Sequence, residues 1–119
     1  MFDSLDISSS ALRAQRTRLD TITLNVASMN TPGFKRRFVE FMPGRPEDPN
    51  KPGVSVRVKQ DPSYREIYDP ERQEYVKYPN IDMAVEFVNA IEASRAYEAN
   101  VTAMEVTKAM MNASLRILA

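Results

Sequence analysis

Apolar residues recur along this chain in two long files separated by a stretch where the pattern changes. From the start, Leu5, Ser8, Leu12, Gln15, Leu19, Ile22, Val26 and Met29 alternate steps of three and four, and six of these eight positions are apolar. This is a heptad seam, and it predicts a helix from the N-terminus to about Asn30. Arg13, Arg16, Arg18 and Asp20 surround so narrow a seam, which suits a helix packed against one or more partner helices rather than one buried all round. At the other end Phe87, Ala90, Ser94, Tyr97, Val101, Met104, Lys108, Met111, Leu115 and Leu118 keep the same alternation, with Lys108 as the clear break. The spacing predicts a helix from about Asp82 to Leu118. Asn80 or Asp82 is placed to cap it, Glu86 lies near its positive first turn, and Lys108 and Arg116 lie toward its negative end. Such a helix is on the order of 55 Å long, whereas a compact domain of this size spans roughly 30 Å. Its seam therefore needs cover from elsewhere.

All eight prolines and all three glycines fall between Pro32 and Pro79. They divide the chain into an N-terminal helix (1–31), a small β-rich segment (32–79) and a C-terminal helix (80–119). The stop after the first helix, Asn30-Thr31-Pro32-Gly33-Phe34-Lys35, has a physical reading. A residue before proline is biased to extended geometry, and glycine admits positive φ. Within the middle, Phe38 to Phe41 and 54-VSVRVK-59 have strand composition, with Val54, Val56 and Val58 on one face. The turn-rich 43-PGRPEDPNKPG-53 joins them, and 64-YREIY-68 and 75-YVKY-78 are two further short strands. With four tyrosines and few aliphatics this middle offers only a thin core, and isolated hairpins are marginal in water. The fold class expected is mainly α with a small β insertion, the two terminal helices pairing as an α-helical coiled coil with a short β-hairpin domain between them.

Composition then removes whole classes of chemistry. The chain of 119 residues has no Cys and no His, and its sixteen basic and sixteen acidic side chains cancel. Disulfides, thiolate metal sites, thiol nucleophiles and imidazole catalysis are all absent. Ser8, Ser9 and Ser10 have no base placed to activate them, and three glycines make no phosphate loop. The carboxylates Glu66, Asp69, Glu71 and Glu74 match no ligand spacing and read as surface loop. Lys35-Arg36-Arg37 is too short a cluster on a neutral chain to announce nucleic acid, and reads instead as a salt-bridged edge. Met104, Met110 and Met111 read as core, and that core can lie between chains. No cofactor, metal or small-molecule substrate is implied, and an enzyme is not expected. The start 1-MFDSLDISSS-10 lacks the cations and apolar run of a cleavable signal, and no span is long enough to cross a membrane.

Three stretches together resemble the axial proteins of the bacterial flagellum, specifically the basal-body rod protein family and its proximal-rod members. They are 11-ALRAQRTRLDTITLNVASMNTPGFKRR-37, 64-YREIYDPERQEYVKYPNID-82 and 86-EFVNAIEASRAYEANVTAMEVTKAMMNASLRIL-118. Ser28 departs from the Asn common in that family. The resemblance implies a structural subunit that assembles helically around the export channel, transmits torque, and is exported by the flagellar type III apparatus without signal cleavage, to lie in the basal body where the rod crosses the periplasm. It implies as partners other rod subunits, neighbouring copies and the export apparatus. The subunit-interface residues expected are Leu5, Leu12, Leu19, Ile22, Val26 and Met29 on the first seam. On the second they are Phe87, Tyr97, Val101, Met104, Met111, Leu115 and Leu118. Asn30 to Lys35 form the turn that redirects the chain outward. The alternatives are another flagellar axial protein, or a discrete helical adaptor or chaperone-like dimer.

Overall fold

The structure, a computed structural model, describes residues 2–118. Its order is α1 (Phe2–Ala27), β1 (Arg37–Pro43), β2 (Val54–Gln60), β3 (Tyr64–Asp69), β4 (Glu74–Pro79) and α2 (Met83–Leu118). The strands form two separate antiparallel hairpins, β1 with β2 and β3 with β4. The mainly α architecture with a small β insertion is as the periodicity predicts.

α1 ends at Ala27, a turn before the expected stop at Asn30. The reason lies in the backbone bonds. The Ser28 N–H is shared between the Leu24 and Asn25 carbonyls, Met29 N–H reaches Val26 and Thr31 N–H reaches Ser28, so the last turn tightens to i→i+3 bonding before Pro32. Met29 is half-buried but lies beyond the helix. At α2 the cap is Asp82, whose Oδ1 accepts the Ala84 N–H at 2.9 Å.

α1 lies between two layers. Its seam, Leu5, Leu12, Leu19, Ile22 and Val26, is buried or half-buried where α1 packs on α2, and the bridge Arg18–Glu92 at 3.4 Å crosses that contact. The two helices run antiparallel. A second face, Ser10, Ala14, Thr17, Thr21 and Asn25, is small and mostly polar, and it accepts the β1–β2 hairpin. Here polar groups serve because each finds a partner. The Ser10 hydroxyl accepts the Val54 N–H at 3.0 Å while donating to the Ile7 carbonyl. Asn25 both donates to the Arg37 carbonyl, at 2.6 Å, and accepts the Arg37 N–H, at 2.9 Å. The far end of this hairpin is clasped by Arg45, which donates to the Pro52 carbonyl and pairs with Asp6. A Cβ on Gly53 would come within 2.6 Å of that arginine side chain.

The β3–β4 hairpin packs on no other described element. Backbone bonds near its base, Gly33 N–H to the Lys77 carbonyl and Asp61 N–H to the Arg36 carbonyl, hold it. The result is long and thin, 77 × 27 × 15 Å with a radius of gyration of 20.0 Å, against about 13.5 Å for a compact chain of this length. Among the described residues the buried apolar side chains are Ala14, Ile22, Ile81 and Ala93, together with Pro79.

Candidate assembly surface

The seam predicted on α2 divides once it is placed in space. Ala90, Tyr97, Val101, Met104 and Met111 are half-buried. Phe87, Ser94, Lys108, Leu115 and Leu118 face outward, Phe87 with 66% and Leu118 with 83% of their surface exposed. The face turned to α1 follows Glu86, Ala90, Ala93, Tyr97, Asn100, Met104, Thr107 and Met111, which keeps the three-four rhythm but replaces one file of the predicted heptad by its neighbour. Ala93, with no exposed surface, allows the two helices to approach closely there. The predicted interface residues therefore form two groups, one satisfied within the chain and one left open.

The open group is continuous with other exposed apolar side chains. Met83, Val85, Phe87, Val88 and Ile91 line the outer side of the first turns of α2, and Leu115, Ile117 and Leu118 its end. Where α1 ends against the beginning of α2, Ile22, Val26, Ala27, Met83, Phe87 and Ala90 wall an apolar groove of about 490 Å³. At the opposite end α2 outruns α1. It has 36 residues against 26, and every position described after Met111 is exposed. On the β1–β2 hairpin the register places Val39, Phe41 and Pro43 opposite Val58, Val56 and Val54, with Phe41 42% and Val58 47% exposed.

In the turn Asn30 to Lys35, Gly33 adopts φ +79° and its N–H bonds to the Lys77 carbonyl at 2.9 Å, so the chain leaves α1 toward the base of the second hairpin. Of the cations that follow, Arg37 stacks over the Phe34 ring at 5.8 Å. Arg36 donates to Glu86 Oε1 at 2.5 Å, with the carboxylate 1% exposed. This salt bridge ties the outward-going chain to α2. Glu86 also lines a cavity of about 120 Å³ with Arg18, Asn25 and Asn89, and its second oxygen has no partner.

Both the Asn25 clamp and the burial of Glu86 escape sequence reasoning. An Asn one turn before a helix stop, and a Glu in the next helix's first turn, have ordinary local explanations as cap and dipole partner.

Among the described residues no group of His, Cys, Asp or Glu could hold a metal ion, and no helix is long and apolar enough to cross a membrane. The hairpin carboxylates serve local ends. Asp69 accepts the Glu71 N–H and lies 3.8 Å from Arg72. Between the hairpins the Ser63 N–H and hydroxyl hold the Asp61 carboxyl below its ordinary range. Lys59 on β2 does the same to Glu40 on β1 by a charged hydrogen bond.

The geometry is that of an elongated two-helix body with apolar side chains left open toward both ends of α2. Comparison with known proteins specifies the family. Residues 5–35 match the family described as flagella basal body rod protein, and residues 72–117 match flagellar basal body rod FlgEFG protein C-terminal. The chain is 38% identical to the flagellar basal-body rod protein FlgC of Aquifex aeolicus over 122 residues, covering 91% of this chain and 90% of that one. It is 33% identical to FlgC of Bacillus subtilis over 145 residues, covering 98% and 97%, and 32% identical to FlgC of Borreliella burgdorferi, covering 99% and 97%. The chain belongs to the FlgC family of flagellar basal-body rod proteins. It is accordingly a structural subunit of the flagellar basal body and not an enzyme. These relatives are the longer proteins, since all three alignments run past its own 119 residues.

Proposed function

We propose that α1 and α2 pair as a coiled coil and stack side by side with the helices of neighbouring rod subunits, copies of this chain among them, into a tube around the export channel. The hairpins lie on the outside of that tube, and the packed seams carry torque along it. In this reading the chain is delivered by the flagellar type III apparatus without cleavage, and takes its place where the rod crosses the periplasm. The supporting observation is the length of uncovered apolar surface on α2, at Phe87, Val88, Ile91, Leu115, Ile117 and Leu118, in a chain with so few buried apolar residues.

Magnitudes favour assembly with several neighbours over a discrete dimer. Burial of a large apolar side chain contributes about 1.5–3 kcal/mol. Scaled by their exposed fractions, these six residues offer roughly 8 kcal/mol. Association costs about 4–15 kcal/mol in lost freedom, so one contact alone roughly breaks even. Several neighbours meeting one subunit at once turn the balance.

Limited proteolysis, with fragments mapped by mass spectrometry, tests this. The expected result is early cleavage of the purified monomer in the α2 overhang after Met111 and protection of the same bonds in isolated basal bodies. A protected chain that elutes as a stable, fully helical dimer would replace this reading by the adaptor.

A further inference from the structure

The apolar groove and the overhang lie at opposite ends of the 36-residue α2, and each lacks what the other has. The groove is the open end of the α1–α2 seam, with Ile22, Val26, Phe87 and Ala90 among its walls. The overhang is a helix end that carries Leu115 and Leu118 beyond the half-buried Met111, at three-four spacing, and each of its described positions after Met111 is exposed. We propose that the groove receives the C-terminal tip of the last helix of another flagellar rod subunit, one with the same design as residues 111–118 here, and that this chain's own tip enters the corresponding groove of the next subunit. The inference rests on the rod reading above and specifies one axial contact within it.

Three observations select this occupant. Residues 72–117 match a family described for the C-terminal part of rod proteins other than FlgC. The segment that ends in this tip is therefore built alike in sibling subunits, and an end that is exposed here has counterparts in them. The groove also continues the intrachain helix seam, so an incoming helix meets the same kind of surface that α2 already offers α1. Finally, one pair of side chains is opposite in charge. Arg116, in the last turn of the tip, is the counterpart of Asp82, the exposed residue just before Met83 on the groove wall. Contacts of this head-to-tail kind join unlike patches and propagate along an axis instead of closing a pair.

The test places the photo-reactive residue p-benzoylphenylalanine at Thr23, on the groove rim, in the full-length chain expressed in a strain lacking the native copy. Basal bodies are irradiated and the crosslinked peptides sequenced. The expected product joins Thr23 to the last dozen or so residues of a sibling rod subunit. The same probe at Ser94, exposed on α2 and outside the groove, gives no C-terminal product.

A Thr23 product with a second copy of this chain alone, or with a segment other than a helix C-terminus, overturns the proposal. So does the absence of any product from basal bodies that contain the chain. All three leave the rod reading intact. That reading fails separately, if the variant restores swimming yet is absent from the purified basal bodies.

Discussion

Replacing Arg36 by alanine isolates the cost of leaving Glu86 alone. In the wild type the Glu86 side chain is 1% exposed and Arg36 21% exposed, joined by one short charged hydrogen bond, and Glu86 Oε2 has no other partner. Removing one member of a buried pair costs about 3–5 kcal/mol, because the remaining charge stays desolvated. The adjacent cavity of about 120 Å³ admits water, which places Arg36→Ala at the lower end, near 3 kcal/mol. Glu86→Gln is a different perturbation. It removes the buried charge itself, and the partly exposed Arg36 can turn to solvent, so the cost is about 1 kcal/mol. The double variant should then be more stable than Arg36→Ala alone, since it no longer buries a bare carboxylate. Domains carry about 5–15 kcal/mol in all, and a core this thin belongs at the low end, so the single substitution removes about half. Thermal unfolding followed by circular dichroism should show a Tm drop on the order of 10 °C for Arg36→Ala and about 4 °C for Glu86→Gln and for the double variant. If the double variant is no more stable than Arg36→Ala, the argument about a stranded charge is wrong.

The remaining predictions concern other contacts. Asn25→Ala should cost about 2 kcal/mol, because the Arg37 N–H and carbonyl both lose a buried partner, and faster amide exchange at Arg37 is the check. Leu19→Asp or Tyr97→Ala should abolish incorporation into basal bodies and swimming while expression persists, whereas Glu71→Ala, on the exposed hairpin turn, should be nearly silent; a Leu19→Asp strain that swims normally contradicts the seam. Asp61 has a folded pKa below its ordinary 3.8, so its contribution to stability is present above about that pH and fades as pH falls through the lowered value. In an NMR titration Ser63→Ala should move the Asp61 midpoint only part of the way back, because the larger influence is the backbone N–H, which remains.

Much of this architecture is visible in the order of residues. The confinement of Pro and Gly to one stretch, the two seams and four short runs of strand composition lead to the observed elements within a few residues. What cannot be read that way is which side of an element another element covers. On α2 the files that begin at Phe87 and at Glu86 stand one position apart, and by hydrophobicity Phe87 is the better candidate for the inside. The chain instead buries Glu86 and Ala93, because Arg36 compensates the first and the smallness of the second lets the helices close. On α1 the polar file from Ser10 to Asn25 resembles a solvated face until the hairpin's free backbone groups are known to lie against it. Partners distant in sequence, 44 residues for Ser10 and Val54 and 50 for Arg36 and Glu86, decide both cases. Local periodicity does not contain them.

The free-standing β3–β4 hairpin also bears on how this lineage varies in length. Its turn at Pro70–Gln73, with Gln73 at φ 54°, lies far from the bonds that fasten its base and touches no other element. Lengthening a flexible loop is inexpensive, about 0.6 kcal/mol for each doubling, and here no packing is lost in addition. The Arg45 clasp makes the other hairpin tip costlier to extend, since residues added there separate Asp6, Arg45 and Pro52. Natural variants that grow by insertion should therefore do so at Pro70–Gln73, lengthening the hairpin while the packing of α1 on α2 stays unchanged.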